Sequence, residues 1–401
     1  MKPENSLVFT VLFCHFLASF TALGMPLFLP KVMQDLIGPN MNILIGWYYI
    51  LPTVCTALVA AWWGRFADKY GKRLSLLRAQ LGLAAGFMIA GLANDLMTFT
   101  LGLLIQGICG GTYAASNAYL ATQVDNKALP KVLNWTQFSA RLSLLLAPII
   151  FGLLISSDNP RELYCYLAIL PVMAAILVGR LPIDGNEKVI KQVNAQAVED
   201  APLSFNQILC IQFLFSFSMV VSFPYFLPFA ESLGIEGSGV IAWYFSMPHL
   251  VYLLITCADT RWQQRLDANH WSSIGLFLLV VSALLHQQID GEKWLWLARI
   301  FMGVGITLTY VGIHHCFSAL KTRHRSGLIF GRFDSAGKWA GVFAGVSSGL
   351  IVEWQGLKAP FSLSAGTALL ALFVIYFPKI RNFVRCLPGL RNGYQIKEED
   401  L

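Results

Sequence analysis

Arg141, Arg299 and Lys338 interrupt stretches of sequence that are otherwise apolar. A charge at the centre of a bilayer costs roughly 2.5–3.5 kcal/mol on insertion scales, so each needs a physical reason. Arg141 falls about nine residues into its stretch, about 13 Å deep at the helical rise. Asp334 precedes Lys338 by four residues and can pair with it along one helix face. Arg78 and Arg332 lie within two turns of a run's end, where a long side chain can snorkel to water. Five cations against the single carboxylate Asp334 give a positive interior that favours an anion. The guanidinium fork grips carboxylate or phosphate at two points. Arg141, Arg299 and Lys338 are therefore the expected substrate-binding residues, for a small hydrophilic anion; the rival role for Lys338 is structural pairing with Asp334.

Proton carriage needs a group that titrates in a low dielectric. Asp334 is the leading carrier and His15 the second, with His314 behind it. His249 and His315 also fall in apolar runs. The eight cysteines are scattered, with no C-x-x-C pair, and read as small packing residues. No Ser/His/Asp set, metal-ligand cluster or phosphate-cradling glycine loop marks an enzyme. No metal or other cofactor is expected.

The elements that must position these residues follow from composition. Hydrophobic residues make up 56% of the 401 and charged residues 13%, about half the charge of a soluble protein. That excludes a disordered chain and a nucleic-acid-binding domain. Twelve runs are long enough to cross a bilayer: 7–29, 43–63, 74–94, 96–124, 132–155, 163–181, 205–230, 239–257, 271–285, 294–320, 328–352 and 359–377. Only helices satisfy their own backbone polar groups in lipid, so the fold class is all-α and polytopic. Met1–Ser6 lacks a cleavage site in the right place, so the first run is read as a membrane helix.

With the N-terminus inside, 20 of the 29 Lys and Arg residues fall in inner segments and 4 in outer loops. By the positive-inside rule both termini are then cytoplasmic, in the cytoplasmic (inner) membrane. Residues 182–204 form the longest polar stretch, of mixed charge and without periodicity. They divide the chain into a six-helix half at 1–181 and another at 205–378, with a cytoplasmic tail at 379–401. Trp47-Tyr48-Tyr49 and Trp243-Tyr244-Phe245 occupy equivalent places in the two halves; interfacial anchoring and cavity lining are both open to them. Gly337, Gly341, Gly345 and Gly349 form a four-residue stripe suited to close helix packing.

Between the second and third runs stands Gly64-Arg65-Phe66-Ala67-Asp68-Lys69-Tyr70-Gly71-Lys72-Arg73. It resembles the G-x-x-x-D-(R/K)-x-G-(R/K)-(R/K) signature of the major facilitator superfamily, at the place where that family carries it. Glycines 64 and 71 permit a tight turn, and Asp68 suits a neighbouring helix N-terminus. Lys69, Lys72 and Arg73 suit anionic lipid. The resemblance implies that Gly64, Arg65, Asp68, Lys69, Gly71, Lys72 and Arg73 act as a gating element. A degenerate echo, Thr260 to Arg265, follows the eighth run.

Two further patterns resemble the drug/proton antiporter branch in part. Its fourth helix carries R-x-x-Q-G; here Leu103 to Gly107 keeps Gln106-Gly107 but places Leu103 where the arginine belongs. The tenth run instead reads Arg299-Ile300-Phe301-Met302-Gly303. Its fifth helix resembles G-x-x-x-G-P-x-x-G-G; here Ser143 to Gly152 keeps Ala147, Pro148 and Gly152. The resemblance implies alternating access around a midplane site, energy from protons, and export. Exporters of polycarboxylate siderophores resemble this drug-antiporter-like frame with basic residues in place of acidic ones. Import of a sugar or organic anion and multidrug efflux are the rivals within the fold; a receptor without transport is the rival outside it. The expected partners are the anionic substrate, protons and membrane lipid, with no nucleic acid, and the expected state is a monomer.

Overall fold

The computed structural model describes residues 3–38, 42–124, 129–155, 159–183, 203–257, 267–319 and 326–386, and among the described residues there is no strand. Helix α1 (Pro3–Gly24) passes through a 3-10 turn into α2 (Leu29–Ile37). Next come α3 (Asn42–Tyr70), α4 (Lys72–Gly91), α5 (Leu96–Cys109), α6 (Thr112–Gln123) and α7 (Leu129–Leu154). The first half closes with α8 (Glu162–Leu167) and α9 (Ile169–Gly179). The second runs α10 (Phe205–Val220), α11 (Phe226–Ser232), α12 (Ser238–Cys257), α13 (Ala268–Gln288), α14 (Leu295–Ala319), α15 (Ser326–Gln355) and α16 (Ala359–Cys386). Pairs α1/α2, α5/α6, α8/α9 and α10/α11 each make one interrupted rod, so the sixteen α-helices among the described residues form twelve spans.

Ten of these rods are long and apolar enough to cross a membrane among the described residues. The seventh, α10/α11, is split by a turn at 221–225. The eleventh, α15, carries Arg332, Asp334 and Lys338. The ninth, expected to be the shortest, is a full 21-residue helix. Large apolar side chains such as Leu58, Met97 and Leu153 point outward, as a lipid-facing surface requires. Phe28, Phe87, Phe99, Phe151, Phe226 and Phe229 are buried within the bundle.

The interruptions have local causes. Pro26 and Pro30 cannot donate to an α ladder, and the chain answers with the 3-10 turn Met25–Phe28. Gly111, at φ +91°, breaks the fourth span between α5 and α6. The carbonyls exposed there are capped from neighbouring spans. Trp63 Nε1 donates to Ile108 O at 2.6 Å, and Arg78 donates to Cys109 O at 2.7 Å and Gly110 O at 3.0 Å. The Arg78 guanidinium lies 3.5 Å over the Trp63 ring. Arg78 therefore does not simply snorkel; it holds a broken helix together. At the loops, Ser204 and Gln207 form a capping box that starts α10. Asp95 caps α5; the Thr98 backbone N–H, then its hydroxyl, hold the Asp95 carboxyl below the usual carboxylate range.

The end of the bundle bearing the Gly64–Arg73 loop is called the motif end here, and the opposite one the far end. At the far end the two halves press together. Gly46 lies so close to Gly345 and Gly349 that an added Cβ would be 2.4 Å from Gly345 O. Gly152 packs on Ser238 and Gly239 in the same way. Tyr225 Oη accepts from Gly46 N at 3.2 Å, and Lys31 Nζ donates to Ser238 Oγ at 2.6 Å. One turn towards the motif end along the stripe of α15, Gly341 meets nothing within 4 Å.

Candidate functional site

The fifth span carries Arg141 across the seam between the halves. Its guanidinium lies 4.8 Å from the Tyr252 ring centroid, on α12, and 5.8 Å from that of Tyr310, on α14. Two tyrosine faces hold a cation in place while leaving its N–H groups free to point elsewhere. Arg141 is half-buried and donates no hydrogen bond to any described residue. A partly desolvated guanidinium with its donors unengaged is what an incoming anion requires.

Other polar side chains gather nearby. Tyr310 packs at a tilt against His314, centroids 4.0 Å apart, and His314 meets Phe333 of α15 at 5.4 Å. On the N-terminal side, Tyr113 meets His15 edge-on at 5.5 Å and accepts from the Gln137 amide. His15 is buried and held by Ser139 Oγ at 3.1 Å and Ser19 Oγ at 3.3 Å. The Ser139 bond ties α1 to α7, two residues from Arg141, while Ser19 belongs to α1 itself. Lys338 is half-buried on α15. The backbone of Asp334 belongs to α15, but its side chain lies outside the described residues, as does the Thr260–Arg265 echo.

Arg299 is placed differently from the sequence expectation. It is 1% exposed and faces a kink in the eighth span. Pro248 has no N–H, so the Tyr244 carbonyl one turn earlier loses its helical donor. Arg299 Nε donates to that carbonyl at 2.9 Å, Nη2 to Phe245 O at 2.6 Å, and Nη1 to Met302 Sδ at 3.1 Å. Its plane lies 4.4 Å over Phe226. No carboxylate pairs with it among the described residues; carbonyl dipoles and an aromatic face compensate the charge. Its donors are engaged, and its work is to fix α12, which bears His249 and Tyr252.

In the signature loop, Gly71 takes φ +103° and turns the chain from α3 into α4. Arg73 donates to the Gly179 carbonyl at the end of α9. Asp68 is 71% exposed, with Lys72 Nζ 3.7 Å away as its near cation, and Lys69 lies 5.0 Å over Tyr70. Gly64 and Arg65 are exposed on the same stretch of α3. At the opposite end the loop cations are tied down: Arg161 pairs with Asp35 at 2.6 Å and Lys358 with Asp290 at 2.7 Å.

Comparison with known proteins decides the family. The Major Facilitator Superfamily model matches residues 11–256 and 208–385. The chain belongs to the major facilitator superfamily. This superfamily member is therefore a multi-pass membrane transporter. It is 25% identical over 309 residues to the Staphyloferrin B transporter of Staphylococcus aureus, covering 72% of this chain and 73% of that one. It is 28% identical over 185 residues to the multidrug resistance protein MdtG of Proteus mirabilis, covering 44% of each. Among solved structures, a D-xylose-proton symporter superposes with a TM-score of 0.75 over 92% of this chain and 97% of that one, at 14% identity. The human organic anion transporter MFSD10 gives 0.69 over 94% and 100%, at 16%. At those identities the structures speak for the fold alone.

Tyr252 and Tyr310 were not singled out by sequence reasoning. Each lies one turn from a histidine, at His249 and His314, on α12 and α14. That spacing is visible in the sequence, but only packing shows that both rings meet Arg141.

Proposed function

We propose that this superfamily member exports a small hydrophilic anion, of the carboxylate siderophore class, in exchange for protons. The observation that carries the reading is Arg141: half-buried at the seam, against the rings of Tyr252 and Tyr310, with donors unengaged. The Staphyloferrin B transporter as a relative over most of the chain supports the substrate class. The motif end is taken as cytoplasmic, with both termini there, and the halves at 1–181 and 205–378 as the rocking units. With the far end closed and Gly341 open, the conformation is then inward-facing. In this scheme Asp68, exposed here beside Lys72, gains a further partner across the motif end when that end closes. Lys338 joins Arg141 in holding the anion; Asp334 and His15 carry protons.

Flux in proteoliposomes with an imposed pH gradient tests the reading, with a citrate-based siderophore and a cationic dye as alternative cargoes. Arg141→Ala should weaken anion binding by roughly 1.5–3 kcal/mol, the worth of a charged hydrogen bond, which is about tenfold or more in affinity. Lysine at 141 should rescue only partly, because it lacks the fork. Asp334→Asn should abolish gradient-driven accumulation while downhill exchange persists. Normal anion flux in Arg141→Ala, together with loss of dye transport, would replace the anion reading by multidrug efflux.

A further inference from the structure

The second and fourth spans repeat the eighth and tenth in register. Trp47-Tyr48-Tyr49 precedes Pro52 as Trp243-Tyr244-Phe245 precedes Pro248, and Gln106-Gly107 stands where Met302-Gly303 does. The packing repeats as well. A Cβ on Gly107 would lie 2.6 Å from Pro52 O, and one on Gly303 would lie 2.9 Å from Pro248 Cα. In this register Leu103 is the counterpart of Arg299. Both are buried, but only one carries donors for a proline kink.

Where the C-terminal half places a guanidinium, the N-terminal half has a cavity of about 30 Å³. Leu103, Gln106, Tyr48, Tyr49, Pro52 and Tyr164 help to line it. One water needs roughly 10–15 Å³ by this measure, and two to four polar partners. The partners are there. Tyr49 and Tyr164 bring phenols, and Gln106 brings a carboxamide whose Oε1 is buried and accepts from no described residue. The Tyr48 carbonyl, like that of Tyr244, loses its helical donor to the proline one turn later. A purely apolar cavity of this size would stay dry; one with these groups does not.

We infer that this cavity is a water site, in which bound water supplies at the Pro52 kink the hydrogen-bond donors that Arg299 supplies at the Pro248 kink. The consequence is mechanical. Water exchanges partners as a helix bends, whereas a guanidinium engaged at three atoms does not. The second span is therefore the compliant one and the eighth the fixed one.

Radiolytic hydroxyl-radical footprinting of the intact protein in detergent tests this, because bound water labels buried side chains beside it. Tyr225 is the dry reference for Tyr164: both are buried, and the Tyr225 hydroxyl is engaged by Gly46 N; Tyr49 is half-buried. Tyr164 should be modified faster than Tyr225, and Leu103→Arg should remove the labelling of Tyr164 and reduce that of Tyr49 by filling the space. Should Leu103→Arg fail to fold, Leu103→Phe serves as the filling variant, and the wild-type rates stand by themselves. Labelling of Tyr164 no faster than Tyr225 in the wild type would show a dry cavity and overturn the inference. Labelling that survives filling would place the water elsewhere, with the same result.

Discussion

Two arginines buried in spans of this transporter behave oppositely, and the difference lies in what surrounds them. Around Arg299 the eighth span is kinked by Pro248, and the guanidinium is consumed by the carbonyls that the kink exposes. Arg141 donates to no carbonyl of a described residue, and two tyrosine rings lie against the cation without using its N–H groups. An arginine inside a membrane is thus not a ligand site by its charge alone. It becomes one when aromatic faces rather than backbone acceptors stabilise it. The N-terminal half supplies the third case: the same kink at Pro52, with Leu103 and a polar cavity in place of the guanidinium.

The largest effect on stability should come from breaking the Arg299 side of this contrast. Arg299→Leu leaves the Tyr244 carbonyl without a donor and removes a second bond at Phe245 O, and hydrogen bonds to charged groups are worth about 1.5–3 kcal/mol each. Thermal unfolding in detergent should show a drop of at least about 3 kcal/mol. Adding Pro248→Ala returns an N–H to the Tyr244 carbonyl, so the double variant should recover part of the loss; strict additivity would refute the capping role. Arg141→Ala, by contrast, should barely move the unfolding temperature while it impairs anion flux.

A smaller effect tests whether the two kinks are packed alike. Gly107→Ala and Gly303→Ala each bring a methyl within 3 Å of the proline on the neighbouring span. Overpacking of that kind costs about 1–3 kcal/mol, and Gly107→Ala should lose the less of the two. A markedly milder Gly107→Ala would indicate that the Pro52 kink yields more readily, as a water-filled kink should.

The smallest effect concerns the aromatic clasp. Tyr252→Phe keeps a ring under Arg141 and should change substrate affinity little. Tyr252→Leu removes the ring and should weaken binding by about 0.5–1 kcal/mol, the worth of one exposed cation–π contact. Isothermal titration with a tricarboxylate separates the two. Equal loss in both variants would mean that the hydroxyl, not the ring, serves the site.

How much of this was legible beforehand differs between fold and site. The run lengths and the Gly64–Arg73 motif carry the twelve spans, because lipid leaves the backbone only one way to satisfy itself. The run boundaries do not report the break at Gly110–Gly111, since a broken span is as apolar as a continuous one. Arg141 and Arg299 look alike in the sequence, each a lone cation in an apolar run. What separates them is a proline on a different helix in one case and two tyrosines on different helices in the other. The i, i+4 relation of Asp334 and Lys338 could be read directly, but the Asp334 side chain lies outside the described residues.

The sequence by itself determined that this chain lives in a bilayer, how many times it crosses, and which superfamily signature turns it between its second and third spans. Those properties are local: apolar length, charge asymmetry in loops, and a glycine at φ +103°. It also contained the repeat between the two halves, since register is a property of the string. Only the tertiary structure decided which arginine meets backbone and which meets aromatic rings. It also decided that Leu103 faces a polar cavity, and that the glycine stripe of α15 is in contact at Gly345 and Gly349 but not at Gly341. The physical reason is that each of these depends on atoms from spans far apart in the chain, brought within a few ångströms by helix packing that no single run encodes.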